Sequence, residues 1–218
     1  MLEKIHTPGY STISKPDMDV LFYLKEIMNI SQPNERYPIV GEIGVGIGAT
    51  TLPMAEILSN YGEIHIFDFE TSVQELQADL RQREFTNIVA HGNTDRYWDS
   101  YHWSLAEMIR NPINNEIFDL IYIDGAHTYL HDALAFFQCD RLLKVGGFMI
   151  FDDYNWRYAD SKYMKGKRLL YMTQEQVNAF QINMFIEDLV STHIGYETVK
   201  KNKIFRKILA AHQLDKSN

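Results

Sequence analysis

Three carboxylates and one histidine follow two apolar segments of this sequence. Asp124 comes directly after the apolar run 118–123, His127 stands three residues later, and Asp152 and Asp153 end a second such run. An ionised carboxylate is costly to remove from water without a partner, so acids at these places suggest that they bind a ligand. If the two runs are neighbouring strands, the carboxylates repel one another unless a cation lies between them. Because hard oxygen ligands favour Mg²⁺ or Ca²⁺, all three acids are predicted metal ligands.

A second group of residues lies in the glycine-rich stretch VGEIGVGIGATT, residues 40–51. Gly44, Gly46 and Gly48 allow a sharp turn from strand to helix and let a ligand approach the main chain closely. With the alanine that follows, the stretch also satisfies GxGxxA, the dinucleotide-binding fingerprint, and Asp68 lies near the ~20-residue offset of a ribose-binding acid. A tight turn without a ligand would need the same glycines.

Glu42 stands directly ahead of this turn. A carboxylate there would attract the amino or sulfonium group of S-adenosylmethionine and would repel the pyrophosphate of NAD. In addition, the chain after the fifth predicted strand is short for the separate substrate domain of a dehydrogenase. The predicted ligand is therefore a cation that carries a ribose.

Alternating strands and helices must position these residues. Strands are predicted at 39–43, 63–67, 87–90, 118–123 and 147–151, and helices at 17–29, 50–59, 71–83, before Arg110, at 127–143 and at 173–191. This alternation predicts an α/β fold with a doubly wound, mostly parallel sheet and helices on both faces. Residues 197–209 add a C-terminal antiparallel hairpin. Ligands of such sheets bind beyond the carboxyl ends of the strands, where both groups of residues fall.

The chain of 218 residues suits one domain with a core of its own. Residues 1–36 are predicted to form a helical segment that caps the substrate side, with Asp17 as the N-cap of its helix. Residues 37–210 form the main domain with an irregular insert at 154–172, and 211–218 form a tail. The insert contains basic residues that suit a phosphate or carboxylate on the substrate; they are Arg157, Lys162, Lys165, Lys167 and Arg168.

Composition and charge argue against several classes of protein. No run approaches the ~18 to 20 apolar residues of a membrane helix, and the first residues lack the apolar core of a signal peptide, so a cytoplasmic protein is expected. The net charge of −8 argues against a nucleic-acid partner. The basic segment 200–207 is assigned to a solvated strand pair, and the single cysteine, Cys139, to the face of a helix.

Several motifs together resemble the class I S-adenosylmethionine-dependent methyltransferases, over about residues 38–207. EIGVGIG resembles the first motif of that superfamily, IHIFDFE its second-strand acid, and LLKVGGFMIFDDY its fifth-strand region, with Val145 where proline is usual. YIDGAHTY followed by FDDY resembles, more narrowly, the small-molecule O-methyltransferases that include the macrolide-sugar enzymes.

This resemblance implies a methyl transfer from S-adenosylmethionine to a hydroxyl of a small polar molecule, such as a sugar. It implies a divalent metal, Mg²⁺ or a similar ion, that binds substrate hydroxyls and lowers their pKa. His127 falls where the macrolide-sugar enzymes carry a general base, so His127 and Asp124 are the expected catalytic residues. The expected cofactor-binding residues are Glu42, Gly44, Gly46, Gly48, Asp68, Asn93, Asp95 and Asp124.

Other interpretations stay open. Asp124 can instead cap the following helix, and His127 and His131, one helical turn apart, form a weak zinc pattern with it. The alternative functions are a metal-independent methyltransferase, a nicotinamide-dependent oxidoreductase and a catalytically silent nucleoside-binding module. Four aromatic residues suit either the core or the underside of the cofactor; they are Tyr97, Trp98, Tyr101 and Trp103. The exposed helix near the N-terminus also suggests a homodimer.

Overall fold

A computed structural model describes residues 1–10, 14–30, 37–96, 101–161 and 164–210, with the side chain of Lys165 excepted. Its centre is a seven-stranded sheet in the order β3-β2-β1-β4-β5-β7-β6. The strands are β1 (Ile39–Ile43), β2 (Glu63–Phe67), β3 (Ile88–His91), β4 (Phe118–Ile123), β5 (Leu143–Phe151), β6 (Tyr196–Lys200) and β7 (Ile204–Lys207). β1 to β5 pair with one another in parallel, and β7 pairs antiparallel with both β5 and β6. The predicted fold class is confirmed.

Helices cover both faces of the sheet. They are α1 (Met18–Ile30), α2 (Thr51–Leu58), α3 (Glu70–Gln82), α4 (His102–Arg110), α5 (Tyr129–Leu142), α6 (Met164–Arg168), α7 (Gln174–Asn178) and α8 (Gln181–Phe185), and α8 continues into a π-helical turn at Ile186–Val190. Single 3₁₀ turns lie at Leu2–His6, Pro112–Asn114 and Tyr158–Asp160. No helix in the described ranges combines the length and apolarity needed to cross a membrane.

Two apolar layers hold the helices against the sheet. Parallel strands buried on both faces read as largely apolar runs, which is why β1, β2 and β4 stand out in the sequence although each contains a polar residue. Along β4, Phe118, Ile121 and Ile123 face the layer under α4, α5 and α8. Leu120 and Tyr122 face the opposite layer, under α1, α2 and α3. The ends of the parallel strands are therefore fixed from both sides.

The first helix belongs to this core. Asp17 is its N-cap, as predicted, because its Oδ1 accepts hydrogen bonds from the backbone N–H groups of Asp19 and Val20 at 2.9 and 3.1 Å. Val20 and Leu24 are fully buried in the layer under α2 and α3. The other carboxylate oxygen of Asp17 lies 2.7 Å from Nζ of Lys203, in the turn between β6 and β7. The start of α1 is thus tied to the turn of the C-terminal hairpin.

The basic segment 200–207 is less solvated than the sequence indicates. Lys207 is fully buried, and its Nζ donates to the backbone oxygens of Asp140 and Leu143 at 2.6 and 2.9 Å. Lys203 is paired with Asp17. The prediction of a solvated strand pair is wrong for Lys207, because β7 lies inside the sheet between β5 and β6 and this side chain packs against the C-terminal end of α5. Lys203 stays partly exposed in the turn.

The predicted long helix at 173–191 is broken. Residues Ala179 and Phe180 leave the helical conformation, with ψ angles of 145° and 77°. The buried side chain of Gln181 stabilises the break: its Nε2 donates to the Gln176 carbonyl at 2.9 Å and its Oε1 accepts from the Tyr129 N–H at 3.0 Å. Because the buried positions on either side keep a helical spacing, periodicity alone does not reveal this interruption.

Two stacked histidines lie between β2 and β3. Nδ1 of His65 is 2.9 Å from Nε2 of His91, and the His91 ring stacks on Phe67 at a centroid distance of 4.4 Å. Burial lowers the pKa of both imidazoles, and the pKa of His91 falls to about 4, with the nearby His65 charge as the second cause. Both rings are therefore neutral at pH 7.

We expect the contribution of these two histidines to the free energy of unfolding to fall as the pH drops from about 6.5 towards 4. The unfolded chain binds protons on these histidines first, so their stabilising contribution is present above pH ~6.5 and is lost in that window. The variant His91→Phe keeps the stacking on Phe67 but should be less stable than the wild-type protein at pH 7. Between pH 6.5 and 4, its free energy of unfolding should fall by about 1 to 3 kcal/mol less than that of the wild-type protein. Urea unfolding at several pH values measures this.

The exposed His6 supplies the matched control. His6→Phe should keep the pH dependence of the wild-type protein. An unchanged slope in His91→Phe would show that His91 is not a source of the acid sensitivity.

Candidate functional site

The ends of β1, β4 and β5 form the floor of the candidate site. The Asp124 N–H donates to the carbonyl of Ile43 at 2.8 Å, and the Asp152 N–H donates to the carbonyl of Ile123 at 3.1 Å. These bonds continue the parallel pairing one residue beyond the strands. The first residues after β4 and β5 are thereby held side by side, which is the predicted arrangement.

The glycine loop after β1 packs tightly on this floor. Gly44 has a φ of +85°, and a Cβ atom there would lie 2.0 Å from the backbone oxygen of Asp124, so no other residue fits. Gly46 has a φ of +51°, and a Cβ atom there would meet nothing within 4 Å. Gly48 is enclosed by the side chains of Leu2 and Leu76. Of the three predicted cofactor-binding glycines, Gly44 and Gly48 make the close packing and Gly46 leaves open space for a ligand.

Two cavities meet at this loop. The front cavity, of about 520 Å³, is lined by residues 14–19, Glu42, Val45, Gly46, Ala49, Thr50, Asp124, His127, Asp152, Asp153 and Lys203. The side cavity, of about 350 Å³, is lined by Gly44, Gly46, Asp68, Phe69, Ser72, Tyr101, Gly125, Ala126, Arg168 and the Asp124–His127 pair. Three residues line both cavities: Gly46, Asp124 and His127. Together the two cavities suit one elongated ligand and a second, smaller molecule.

Glu42 is a buried acid in the wall of the front cavity. Its Oε2 accepts a hydrogen bond from the Thr51 hydroxyl at 2.6 Å. Burial raises the pKa of Glu42 to about 8, with a smaller contribution from the charge of Asp68, while the Thr51 bond acts in the opposite direction. A positive group in the cavity would stabilise the ionised form of this carboxylate.

Asp68, the residue after β2, lines the side cavity and binds the backbone of the glycine loop. Its two carboxylate oxygens accept from the backbone N–H groups of Val45 at 2.9 Å and Phe69 at 2.6 Å. Burial raises the pKa of Asp68, and these hydrogen bonds lower it. The Gly46 N–H also donates to this carboxylate, so about one of its four lone pairs is left for a ligand hydroxyl.

The two residues predicted beside the adenine lie outside both cavities. Asn93 and Asp95 are both exposed in the loop after β3, and the carboxylate of Asp95 accepts from the backbone N–H and the hydroxyl of Thr71 at the start of α3. These bonds lower the pKa of Asp95. The sequence did not single out Phe69 and Ser72, which line the side cavity; their one signal is that they lie one and four residues after Asp68. Tyr97 and Trp98 lie outside the described residues.

Asp124, His127 and Asp153 converge at the mouth of the front cavity. Nε2 of His127 is 3.4 Å from Oδ2 of Asp153 and 3.7 Å from Oδ1 of Asp124. One possible ligand atom from each of the three lies within 4.8 Å of the others. Asp152 lines the same cavity, but its Oδ2 accepts from the Tyr122 hydroxyl at 2.9 Å. The structure thus brings two of the three predicted metal-binding acids together with the predicted base.

The charges in this cluster oppose one another. Removal from bulk water raises the pKa of Asp124 well above its usual range, and the carboxylates of Asp152 and Asp153 raise it further. Burial also raises the pKa of Asp153, against the effect of His127. A divalent cation would relieve this repulsion, so the donor set fits a metal ion. The imidazole nitrogen extends the suitable ions from Mg²⁺ to Mn²⁺ and Zn²⁺.

The loop that carries His127 is held on three sides. The Ala126 N–H donates to the Tyr101 hydroxyl at 3.3 Å, and the Tyr158 hydroxyl donates to the Ala126 carbonyl. The Thr128 N–H donates to Oδ2 of the buried Asp132 at 2.6 Å. These contacts hold His127 in a left-handed conformation, with a φ of 54°. Such a backbone is uncommon outside glycine and is retained where neighbouring structure enforces it.

The zinc alternative is not supported by the placement of His131. Nδ1 of His131 lies 2.8 Å from the Thr128 hydroxyl, and its ring stacks on His102 at 5.6 Å.

Among the basic residues of the insert, Arg168 is buried in the wall of the side cavity, with its guanidinium 4.7 Å from the centre of the Tyr158 ring. Arg157 instead pairs with Asp160.

Comparisons with solved structures support the fold. A candidate caffeoyl-CoA O-methyltransferase from Staphylococcus aureus is 18% identical with a TM-score of 0.59, over 94% of this chain and 91% of that chain. The O-methyltransferase TomG from Streptomyces achromogenes, solved in complex with S-adenosylmethionine, is 13% identical with a TM-score of 0.60, over 95% and 89%. A candidate O-methyltransferase from Klebsiella pneumoniae is 14% identical with a TM-score of 0.58, over 95% and 86%.

Comparison of the sequence with protein families identifies one family. None of the curated proteins matches the sequence. A family model for a methyltransferase domain matches residues 42–154, slightly more than half of the chain. The matched region begins at Glu42, contains Asp68 and the Asp124–His127 pair, and ends just after Asp153. The chain therefore belongs to this family of methyltransferase domains.

Proposed function

We propose that this protein transfers a methyl group from S-adenosylmethionine to a hydroxyl oxygen of a small polar acceptor, with the help of a divalent metal ion. One observation carries the proposal: the glycine loop with Glu42 and the cluster of Asp124, His127 and Asp153 open into the same cavity. Donor and acceptor can therefore meet there. The family match favours this activity over a nicotinamide-dependent oxidoreductase.

Each cavity would bind a different part of the methyl donor. Asp68 and the apolar walls of the side cavity suit the ribose and adenine, because the Asp68 carboxylate can accept from a ribose hydroxyl. Glu42 and Gly46 suit the methionine part, where the ammonium and sulfonium groups offset the buried carboxylate. Asp124 lies where the two parts join, since it lines both cavities.

Asp124, Asp153 and His127 are the residues that would hold the metal ion. When bound, such an ion lowers the pKa of an acceptor hydroxyl and orients it. In the metal-independent alternative, Nε2 of His127 instead accepts the hydroxyl proton, and one nitrogen atom cannot fill both roles at once. In either case, fixed walls align the acceptor oxygen with the sulfonium methyl, which is the main source of rate in such a transfer.

The outer part of the front cavity suits a hydroxylated acceptor, such as a sugar or related metabolite. Ser14, Lys15, Asp17, Asp19 and Lys203 line it with hydrogen-bonding and charged groups. The names of the O-methyltransferases that share the fold support an oxygen atom as the methyl acceptor.

S-adenosylhomocysteine should raise the melting temperature, and NAD should not. At about 100 times its dissociation constant, a ligand that binds only the folded chain adds about 2.7 kcal/mol, or several degrees at this length. A thermal-shift titration with and without Mg²⁺ measures the effect without knowledge of the acceptor. A shift with NAD alone would contradict the proposed cofactor.

Glu42→Gln should weaken binding of the cofactor while it stabilises the free protein. Loss of the negative charge should raise the dissociation constant of S-adenosylmethionine about tenfold. Because burial raises the pKa of Glu42 to about 8, its contribution to the free energy of unfolding decreases as the pH rises from about 4.5 to 8. The variant should therefore gain about 1 to 3 kcal/mol of unfolding free energy at pH 7.5 and little at pH 5.

Calorimetric titration and urea unfolding measure these two quantities. Glu56→Gln is the matched control, because Glu56 lies on the exposed side of α2. Unchanged affinity in Glu42→Gln would remove Glu42 from the cofactor site.

Mn²⁺ binding, followed by electron paramagnetic resonance, should depend on the three-residue cluster. Asp124→Asn and Asp153→Asn should each weaken binding about tenfold or more, because each removes a charged ligand. Asp152→Asn should have a smaller effect, since Tyr122 already occupies one oxygen of Asp152. Asp160→Asn, an exposed acid in the insert, is the control.

The variant His127→Ala separates the two roles of this residue. Weaker Mn²⁺ binding would make it a ligand, whereas unchanged Mn²⁺ binding with slower methyl transfer would make it the base. A wild-type protein that binds no Mn²⁺ and retains full turnover in excess EDTA would leave only the metal-independent mechanism.

A further inference from the structure

The outward side of α5 is apolar along most of its length. Leu130, Leu134 and Phe137 are 73%, 45% and 48% exposed. Their spacing of four and three residues places them in one stripe on the helix. Surface helices normally carry polar residues on this side, and contiguous exposed apolar residues mark interaction surfaces.

The neighbouring helices extend this stripe into a face. On one side, Nδ1 of His102 in α4 lies 2.8 Å from Oε1 of Gln138 in α5, and the next residue, Trp103, is 49% exposed. On the other side, α8 is tied to α5 through Gln181, and Met184 in α8 is 45% exposed. We call Trp103, Leu130, Leu134, Phe137 and Met184 the α5 face.

The size of the α5 face suits a dimer contact. The 14 residues of α5 span about 21 Å, and three helices side by side at about 9 Å spacing cover a similar width. A patch of these dimensions covers roughly 450 Å², a little over half of the ~800 Å² that one partner buries in an ordinary specific interface, which suits a weak dimer.

Opposite charges stand at the two ends of the stripe. Arg141 continues it by one helical turn at the C-terminal end of α5 and is exposed. At the N-terminal end, Oδ2 of the exposed Asp188 accepts from the Tyr129 hydroxyl at 3.3 Å. Within the described ranges, neither Arg141 nor Asp188 has an ion pair with an oppositely charged side chain. Each charge is available to an outside partner.

We propose that the α5 face binds the α5 face of a second copy of this chain, with the two α5 helices antiparallel and Leu134 at the two-fold axis. Leu130 of each copy then meets Phe137 of the other. Arg141 lies seven residues, or about 10.5 Å, beyond Leu134, so it meets the Asp188 end of the other copy. A two-fold contact requires such self-complementarity, which the apolar centre and opposite end charges provide.

The helix near the N-terminus is less suited to this contact. The exposed positions of α1 include Met18 and Phe22, but also Lys25, Glu26 and Asn29. Apolar residues therefore do not form a continuous stripe on α1. The homodimer suggested by the sequence is assigned to α5 instead.

Sedimentation velocity tests the assembly directly. The wild-type protein should be a dimer at about 10 to 100 μM, a range that detects micromolar association. Leu134→Asp should weaken association at least about tenfold, because it places two charges at the apolar centre. Phe22→Asp is the matched control, since Phe22 is an exposed apolar residue on α1, and it should remain dimeric. Circular dichroism melting checks that both variants fold.

A charge exchange tests the orientation. Arg141→Glu and Asp188→Arg should each weaken the dimer, and the double variant should recover much of the loss because the pair is restored with opposite signs. With oxidised glutathione added as the oxidant, Leu134→Cys should form a disulfide between copies, while the buried Cys139 stays reduced. A monomeric wild-type protein, a dimer broken by Phe22→Asp and not by Leu134→Asp, or no recovery in the double variant would overturn the proposal.

Discussion

The parallel pairing of β1, β4 and β5 is the constraint on which the candidate site depends. Backbone hydrogen bonds run from Asp124 to the end of β1 and from Asp152 to the end of β4, so the residues that follow the strands are held side by side. Glu42 enters the same volume from within β1. Each of these carboxylates would be hydrated in an unfolded chain. The apolar layers on both faces of the sheet supply the free energy that brings them together.

Such a concentration of acids reduces the stability of the protein without ligands. Burial raises the pKa of Glu42, Asp68, Asp124 and Asp153, which means that folding opposes their ionisation. A cation in the cavity reverses this effect, because it stabilises the ionised form of each group. A methyl donor with two positive groups and a divalent metal ion would therefore bind with a favourable change in the same carboxylates. Stability is lowered where binding can restore it.

Rigid support of one loop connects the site to the rest of the fold. His127 has an uncommon backbone conformation, and the contacts that enforce it come from three different segments, through Tyr101, Asp132 and Tyr158. Immediately after this loop begins α5, whose inner side is buried in the core and whose outer side carries the proposed dimer contact. The helix that fixes one side of the site would then also be held by the second copy.

The sequence by itself determined the order of the strands, the glycine loop and the ends at which acids occur, although β5 begins at Leu143, four residues before its predicted start. β1, β2 and β4 begin and end where predicted, because largely apolar runs and turn-forming glycines are local signals. Only the tertiary structure decided that Asp153, with a φ of 56°, joins His127 while Asp152 turns to Tyr122. It also decided that Lys207 is buried, since this follows from the place of β7 inside the sheet. The supports of Ala126 lie 25 and 32 residues away in the chain. Contacts of that kind depend on packing between distant segments, and neither spacing nor composition encodes them locally.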